Sequence, residues 1–145
     1  MPKFGKTSAA RLQSCHPDLQ AIFTVVIQSL DCSIFCGHRN KADQQKAFNA
    51  NLSQVQFPHS KHNSVPSMAT DAGPYFTELR NTDWEDIKAF ATFAGYVKRV
   101  AHELLAQGVI THGIRWGGDW DGDGRTSDQT FYDLPHFELI KVSNI

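Results

Sequence analysis

The strongest constraint on the fold is a run of apolar residues at helical spacing past the middle of the chain. Ile87, Phe90, Ala91, Ala94, Val97, Ala101 and Leu104 recur at intervals that place them on one helix face, and such a face requires an apolar partner. Thr82-Asp83-Trp84-Glu85 has capping-box spacing ahead of the run and Gly108 follows it, so a long helix is expected from behind the box to near Gly108. Gly95 within it costs about 1 kcal/mol relative to alanine and is read as a point of close packing.

A partner for that face lies upstream. Leu19, Ile22, Phe23, Val26, Ile27 and Leu30 again have helical spacing, opened by His16-Pro17-Asp18; proline suits a first turn and an aspartate there complements the helix dipole. Cys32 to Cys36 is short, apolar and closed by Gly37, which predicts a strand, and Ala42 to Asn49 predicts a further helix. Residues 51–66 are rich in Ser, Asn, His, Gln and Pro and predict a loop. Short strands are expected at 67–71, 114–116 and 137–142, while 1–14 shows no periodicity. Helices and strands without regular βαβ alternation predict an α+β fold, a small single domain over 1–145 with a largely antiparallel sheet and flanking helices.

The 145 residues, 41% of them hydrophobic, suffice for one core without disulfides or a structural metal. A net charge of −1 supplies no footprint for nucleic acid. No apolar run approaches the ~20 residues of a membrane span, and no signal-peptide stretch follows Met1-Pro2-Lys3. The expectations are therefore a monomer made in the cytoplasm, with neither nucleic acid nor membrane insertion. Cys15, Cys32 and Cys36 are read as small buried hydrophobes.

Metal-competent side chains concentrate in two segments, Ser60-Lys61-His62 through Asp71, and Asp133-Leu134-Pro135-His136-Phe137-Glu138. A catalytic zinc site needs three protein ligands, an open position and a carboxylate to take a proton from water. His62, Asp71 and His136 would supply the ligands, with Asp133 or Glu138 as the base; as loop residues at a surface they would do neither. Cys32, Cys36, His59 and His62 superficially resemble a Cys2His2 set, but strand residues four apart are separated by about 13 Å and cannot share an ion. Asp119-Trp120-Asp121-Gly122-Asp123-Gly124 has the one-three-five carboxylates and position-six glycine of an EF-hand calcium loop. Ser127 and Asp128 stand at its positions nine and ten, but Thr130 replaces the closing glutamate. The loop is expected either to bind calcium through Asp119, Asp121, Asp123 and Asp128, ordering the segment ahead of Asp133, or to be a solvated acidic surface.

The run from Ser60 to Asp71, followed by Asp133 to Leu139, resembles the zinc peptidases of bacterial cell wall. That family includes D-alanyl-D-alanine carboxypeptidases and dipeptidases and the L-alanyl-D-glutamate endopeptidases that phages use as endolysins. His16-Pro17-Asp18-Leu19, Gly37-His38-Arg39 with Gln44 or Gln45 downstream, and Trp116-Gly117-Gly118-Asp119-Trp120 resemble the phage branch. The resemblance implies zinc ligands at His62, Asp71 and His136, a catalytic carboxylate at Asp133, and Arg39 stabilising charge on the substrate carbonyl. It also implies the small α+β fold shared with the hedgehog signalling domain. The interval from His62 to Asp71 is longer than in many relatives, which leaves His59 as an alternative ligand. Asp133 stands where the dipeptidases carry glutamate, as in the phage branch.

Asp133 precedes His136 across an expected proline-containing turn and would face the open metal position, while Glu138 shares the face of His136 by period-two alternation, as a rival base or an orienter of that ligand. Arg39 would offer a fixed cation to an oxyanion or a peptide carboxylate. The expected function is a phage endolysin, a zinc-dependent endopeptidase acting on the L-alanyl-D-glutamate bond of peptidoglycan stem peptides. It would accumulate in the host cytoplasm and reach the wall, the thin one of a Gram-negative host, once another protein perforates the membrane. The alternatives are a D-alanyl-D-alanine carboxypeptidase of the same fold and a non-catalytic metal-stabilised binding module, which would have no need of a base at Asp133.

Overall fold

A computed structural model describes residues 1–142; the expected domain span 1–145 runs past it over 143–145, which lie outside the described residues. The elements, in order, are α1 (Lys6–Gln13), α2 (Pro17–Ser29), β1 (Cys32–Cys36), α3 (Lys41–Asn49), a 3-10 turn (Lys61–Asn63), β2 (Ala69–Pro74), α4 (Ile87–Ala106), β3 (His112–Gly117) and β4 (Asp133–Lys141). The strands form one sheet in the order β1-β2-β4-β3, antiparallel throughout. This is the expected α+β class.

Helices α2 and α4 pack together over one sheet face. Phe23 and Phe93 meet Phe137 of β4 edge-on, with ring centroids 5.7 and 6.0 Å away, and Ile22, Val26, Ile34, Val97 and Leu139 close the core around them. Burying such side chains contributes roughly 1.5–3 kcal/mol each. The three cysteines are free. Burial pushes the Cys15 and Cys32 thiols up to about 11 and about 12, so both behave as the expected inert hydrophobes.

Five expectations need correction. Residues 6–13 are helical although no apolar period announces them. Helix α1 lies against β1, where Ser8 Oγ accepts from Ile34 N at 3.0 Å and Arg11 Nη1 donates to Ile34 O at 3.1 Å. It thereby covers an edge strand through polar contacts, which hydrophobic periodicity does not register. The capping box at Thr82 does not start α4; Asp86 does, its side chain accepting from Ala89 N. The face of α4 is also rotated from the expected one: Phe93 and Val100 are buried while Ile87 and Ala91 are exposed. Gly95 lies on the exposed side with open space around its Cα, so it marks no close packing.

The last correction positions the site. Asp133, Leu134 and Pro135 belong to β4 instead of a turn before it. Trp116 pairs with Phe137, yet the next residue, Gly117, pairs with Asp133. The extra β4 residues form a bulge, which re-aims side chains out of strict alternation. A Cβ on Gly117 would stand 2.1 Å from Asp133 O, so only glycine permits the bulge.

Candidate metal centre

The sheet face opposite the α2–α4 core carries the candidate residues. Asp71 of β2 pairs directly with His136 of β4, and directly opposed residues of an antiparallel pair hold their Cβ atoms about 4.5–5.5 Å apart. His62 comes from the 3-10 turn, which Ser60 and Asn63 close with a reciprocal capping box. His62 Nε2 lies 3.2 Å, and His136 Nδ1 3.4 Å, from the same oxygen, Asp71 Oδ1. One donor atom from each residue lies within 4.8 Å of the other two.

Each imidazole is oriented by its second nitrogen. His62 is 2% exposed, and its Nδ1 lies 2.8 Å from Gly37 O. That carbonyl only accepts, so Nδ1 carries a proton and Nε2, which faces Asp71, is the nitrogen left to ligate a metal once it gives up the proton it shares with that carboxylate. Gly37 is fixed in turn by close packing, because a Cβ there would lie 2.2 Å from Arg11 O. His136 Nε2 lies 2.8 Å from Glu138 Oε1, leaving Nδ1 towards Asp71. Arg115 Nη2 and Lys61 Nζ bind Glu138 Oε2 at 2.8 and 3.2 Å. Burial raises the Glu138 pKa, but the hydrogen bonds from His136 and Arg115 outweigh it and hold the carboxyl at about 2.

The electrostatics favour positive charge at the centre of the cluster. Burial opposes charging His62 and His136, but the hydrogen bonds and charge of Asp71 raise both. Asp71 itself is held far below the carboxylate range by the two imidazoles despite its burial. Two imidazole nitrogens and one carboxylate oxygen, oriented from behind and open towards a cleft, fit zinc in an open three-ligand site.

Asp133 Oδ2 stands 3.8 Å from His136 Nδ1. Burial and the neighbouring Asp71 charge push its carboxyl up to about 6, within range of proton exchange near neutrality. Arg39 Nη2 lies 3.5 Å from Asp71 Oδ2 on the other side of the cluster. These side chains border a cleft of about 540 Å³, walled by Leu52 to Val55 on one side and Gln129 to Phe131 on the other. His59 is exposed on this cleft and lies outside the cluster that holds His62, Asp71 and His136. Among the described residues Cys32 and Cys36 join no metal-competent group.

Asp119, Asp121 and Asp123 are drawn into a second cluster, with Asp128 outside it, bordering the cleft. Asp119 is 1% exposed. Its Oδ2 accepts from Gly124 N at 2.8 Å and Lys98 Nζ at 3.4 Å, while the buried Oδ1 has no partner. Trp120, between these carboxylates, packs its ring 5.4 Å from that of His136. Gln44 is a site-supporting residue that motif reading left undistinguished from Gln45; burial separates them, since Gln44 is enclosed and Gln45 exposed.

Residues 1–140 match the sequence profile of the family described as phage L-alanyl-D-glutamate peptidase. The chain is 28% identical over 143 residues to the L-alanyl-D-glutamate peptidase of Escherichia phage T5, covering 95% of this chain and 98% of that one. The crystal structure of the L-Ala D-Glu endopeptidase ChiX of Serratia marcescens superposes with a TM-score of 0.67 at 26% identity, over 95% of this chain and 90% of the other.

Proposed function

From the premise that the chain belongs to the phage L-alanyl-D-glutamate peptidase family, we propose how its His62–Asp71–His136 cluster performs that hydrolysis. The chain is a zinc metallopeptidase of peptidoglycan, an endolysin. The observation that carries the assignment of roles is the convergence of His62 Nε2, Asp71 Oδ1 and His136 Nδ1 at a cleft that also holds Asp133. Zinc, when bound, polarises the scissile carbonyl and acidifies water enough for it to lose a proton near neutral pH.

His62, Asp71 and His136 hold the metal, and Glu138 with Gly37 O keeps the two imidazoles aimed. Asp133 accepts the proton of the attacking water at its carboxylate and delivers it to the departing nitrogen. The amide C–N bond breaks, leaving a carboxylate on L-alanine and an amine on D-glutamate. Arg39 offers its guanidinium to the oxygen on which negative charge develops. A binding module needs the ligands alone; a half-buried carboxylate with a raised pKa, 3.8 Å from His136 Nδ1, favours catalysis.

The reading extends to a monomer that binds no nucleic acid, in line with the net charge of −1. It is made in the host cytoplasm and reaches the wall after another protein opens the membrane. No helix among the described residues is long and apolar enough to cross a membrane. The reading further includes a calcium ion on Asp119, Asp121 and Asp123, supported by the unpartnered buried oxygen of Asp119.

Digestion of purified sacculi tests the function. New N-terminal D-glutamate and C-terminal L-alanine, without new reducing sugars, are expected. Free D-alanine as the sole product would establish the carboxypeptidase alternative, and reducing ends would exclude both.

A further inference from the structure

Gln44 of α3 is fully buried, and a buried amide is costly unless its donors and acceptor are matched. Its Oε1 accepts from Arg39 Nη1 at 3.1 Å and from Asn63 Nδ2 at 3.2 Å. Its Nε2 donates to Val55 O at 2.7 Å and Ser53 Oγ at 2.9 Å. The partners fix the amide orientation: a guanidinium only donates and a peptide carbonyl only accepts. Around this amide the backbone of Arg39 is held as well, its N–H donating to His62 O at 2.8 Å and its carbonyl accepting from Asn63 Nδ2 at 3.0 Å. One side chain thus joins the turn bearing a metal ligand, the guanidinium beside Asp71, and the wall of the cleft.

We propose that Gln44 is a positioning residue for the hydrolysis, fixing the Arg39 guanidinium at the cluster. Gln44 is enclosed and acts through Arg39. With Nη1 engaged by Gln44, Nη2 is held 3.5 Å from Asp71 Oδ2, at the edge of the cluster. Without that acceptor the guanidinium swings on its flexible stem, and small misplacements of a charge-stabilising group cost rate out of proportion to their size. The proposal rests on the assignment of Arg39 to the developing oxyanion.

The test is a double-mutant cycle on a soluble stem-peptide fragment containing the L-alanyl-D-glutamate bond, with wild type, Gln44→Met, Arg39→Ala and the double variant. Gln44→Met is expected to lower kcat roughly 10²-fold, with zinc content unchanged and KM moved far less. In the Arg39→Ala background the same change is expected to cost less than about 3-fold, because coupled residues are non-additive. An equal loss in both backgrounds overturns the proposal. Gln44→Glu keeps an acceptor for Arg39 but loses the donor to Val55. It is expected to retain most of kcat, and a loss as large as that of Gln44→Met places the effect in the wall and overturns the assignment. Nitrogen-15 NMR of the Arg39 guanidinium reads the same contact without catalysis: distinct Nη1 and Nη2 signals are expected in wild type and averaged ones in Gln44→Met. Averaged signals in wild type overturn the proposal. An inactive wild type with distinct signals leaves the contact standing and overturns the functional reading instead.

Discussion

Asp133 and Glu138 both lie within reach of His136, yet their surroundings are opposite. Glu138 is surrounded by Arg115, Lys61 and His136 and held at about 2, which makes it a fixed acceptor and a poor proton carrier. Asp133 faces Asp71 and is raised to about 6. Asp133→Asn is expected to keep zinc and fold while losing activity about 10²–10⁴-fold, the usual range for removal of a general base. Glu138→Gln weakens the hold on His136 and is expected to cost about 10–100-fold in zinc affinity or activity. Zinc content and hydrolysis of each variant check this, and a dead Glu138 variant beside an active Asp133 variant would exchange the roles. Metal analysis of wild type is expected to give about one zinc per chain, lost in His136→Ala. Full zinc content and activity in His136→Ala would remove the ligand set. That His62, Asp71 and His136 belong together was legible in the sequence, and so was the shared face of His136 and Glu138, because side-chain alternation is local. The placement of Asp133 was expected for the wrong reason, since a bulge at Gly117 depends on a partner strand that sequence spacing does not encode.

At the scale of elements, α2 and α4 were legible because each buries an apolar stripe with a 3.6-residue period. Helix α1 was not, because it is held on the β1 edge by Ser8 and Arg11. Thr82 shows the limit of a motif read alone: its box spacing is present, but its hydroxyl is buried without a partner and Asp86 caps the helix instead. Gly95 has no neighbour to accommodate and lies on the exposed side of α4. Gly95→Ala is therefore expected to stabilise the fold by up to about 1 kcal/mol with activity unchanged, and a lower melting temperature would contradict the open space seen there. The acidic loop yields a further prediction. Calcium titrated into zinc-loaded protein is expected to release or absorb heat at one site, raise the melting temperature and increase hydrolysis, through Asp119 and the contact of Trp120 with His136. Asp121→Ala/Asp123→Ala should abolish all three responses. Identical behaviour with calcium and with a selective chelator, in both proteins, would leave the loop as acidic surface.

The whole molecule depends on a buried charge far from the chemistry in sequence and unused by it. Asp18, in the first turn of α2, is 7% exposed and bridges to the start of β3. Its Oδ2 accepts from Thr111 N at 3.0 Å, His112 N at 3.2 Å and Thr111 Oγ1 at 3.3 Å, and lies 2.8 Å from His112 Nδ1. His16 packs beside it, its Nδ1 accepting from Asp18 N at 3.0 Å. These bonds tie the N-terminal helices to the sheet edge where β3 pairs with β4, the strand that carries Asp133, His136 and Glu138. Burial raises the Asp18 pKa, but the hydrogen bonds from His112 and the Thr111 amide outweigh it and hold the carboxyl below its ordinary value. A carboxylate with a depressed folded pKa stabilises the fold above its unfolded pKa of about 3.9, and that stabilisation disappears as pH falls through the folded value. Asp18→Asn keeps the shape but removes the charge, so at pH 7 it is expected to cost roughly 1–3 kcal/mol. For a chain of this size that corresponds to a melting temperature lower by roughly 3–10 °C. The difference between the two proteins should narrow in strong acid, where the wild-type carboxyl also takes up a proton. Thermal melts of both proteins from neutral pH into strong acid decide it. A gap that fails to narrow in strong acid would mean that the charge contributes nothing and that the backbone donors alone hold α2 to β3.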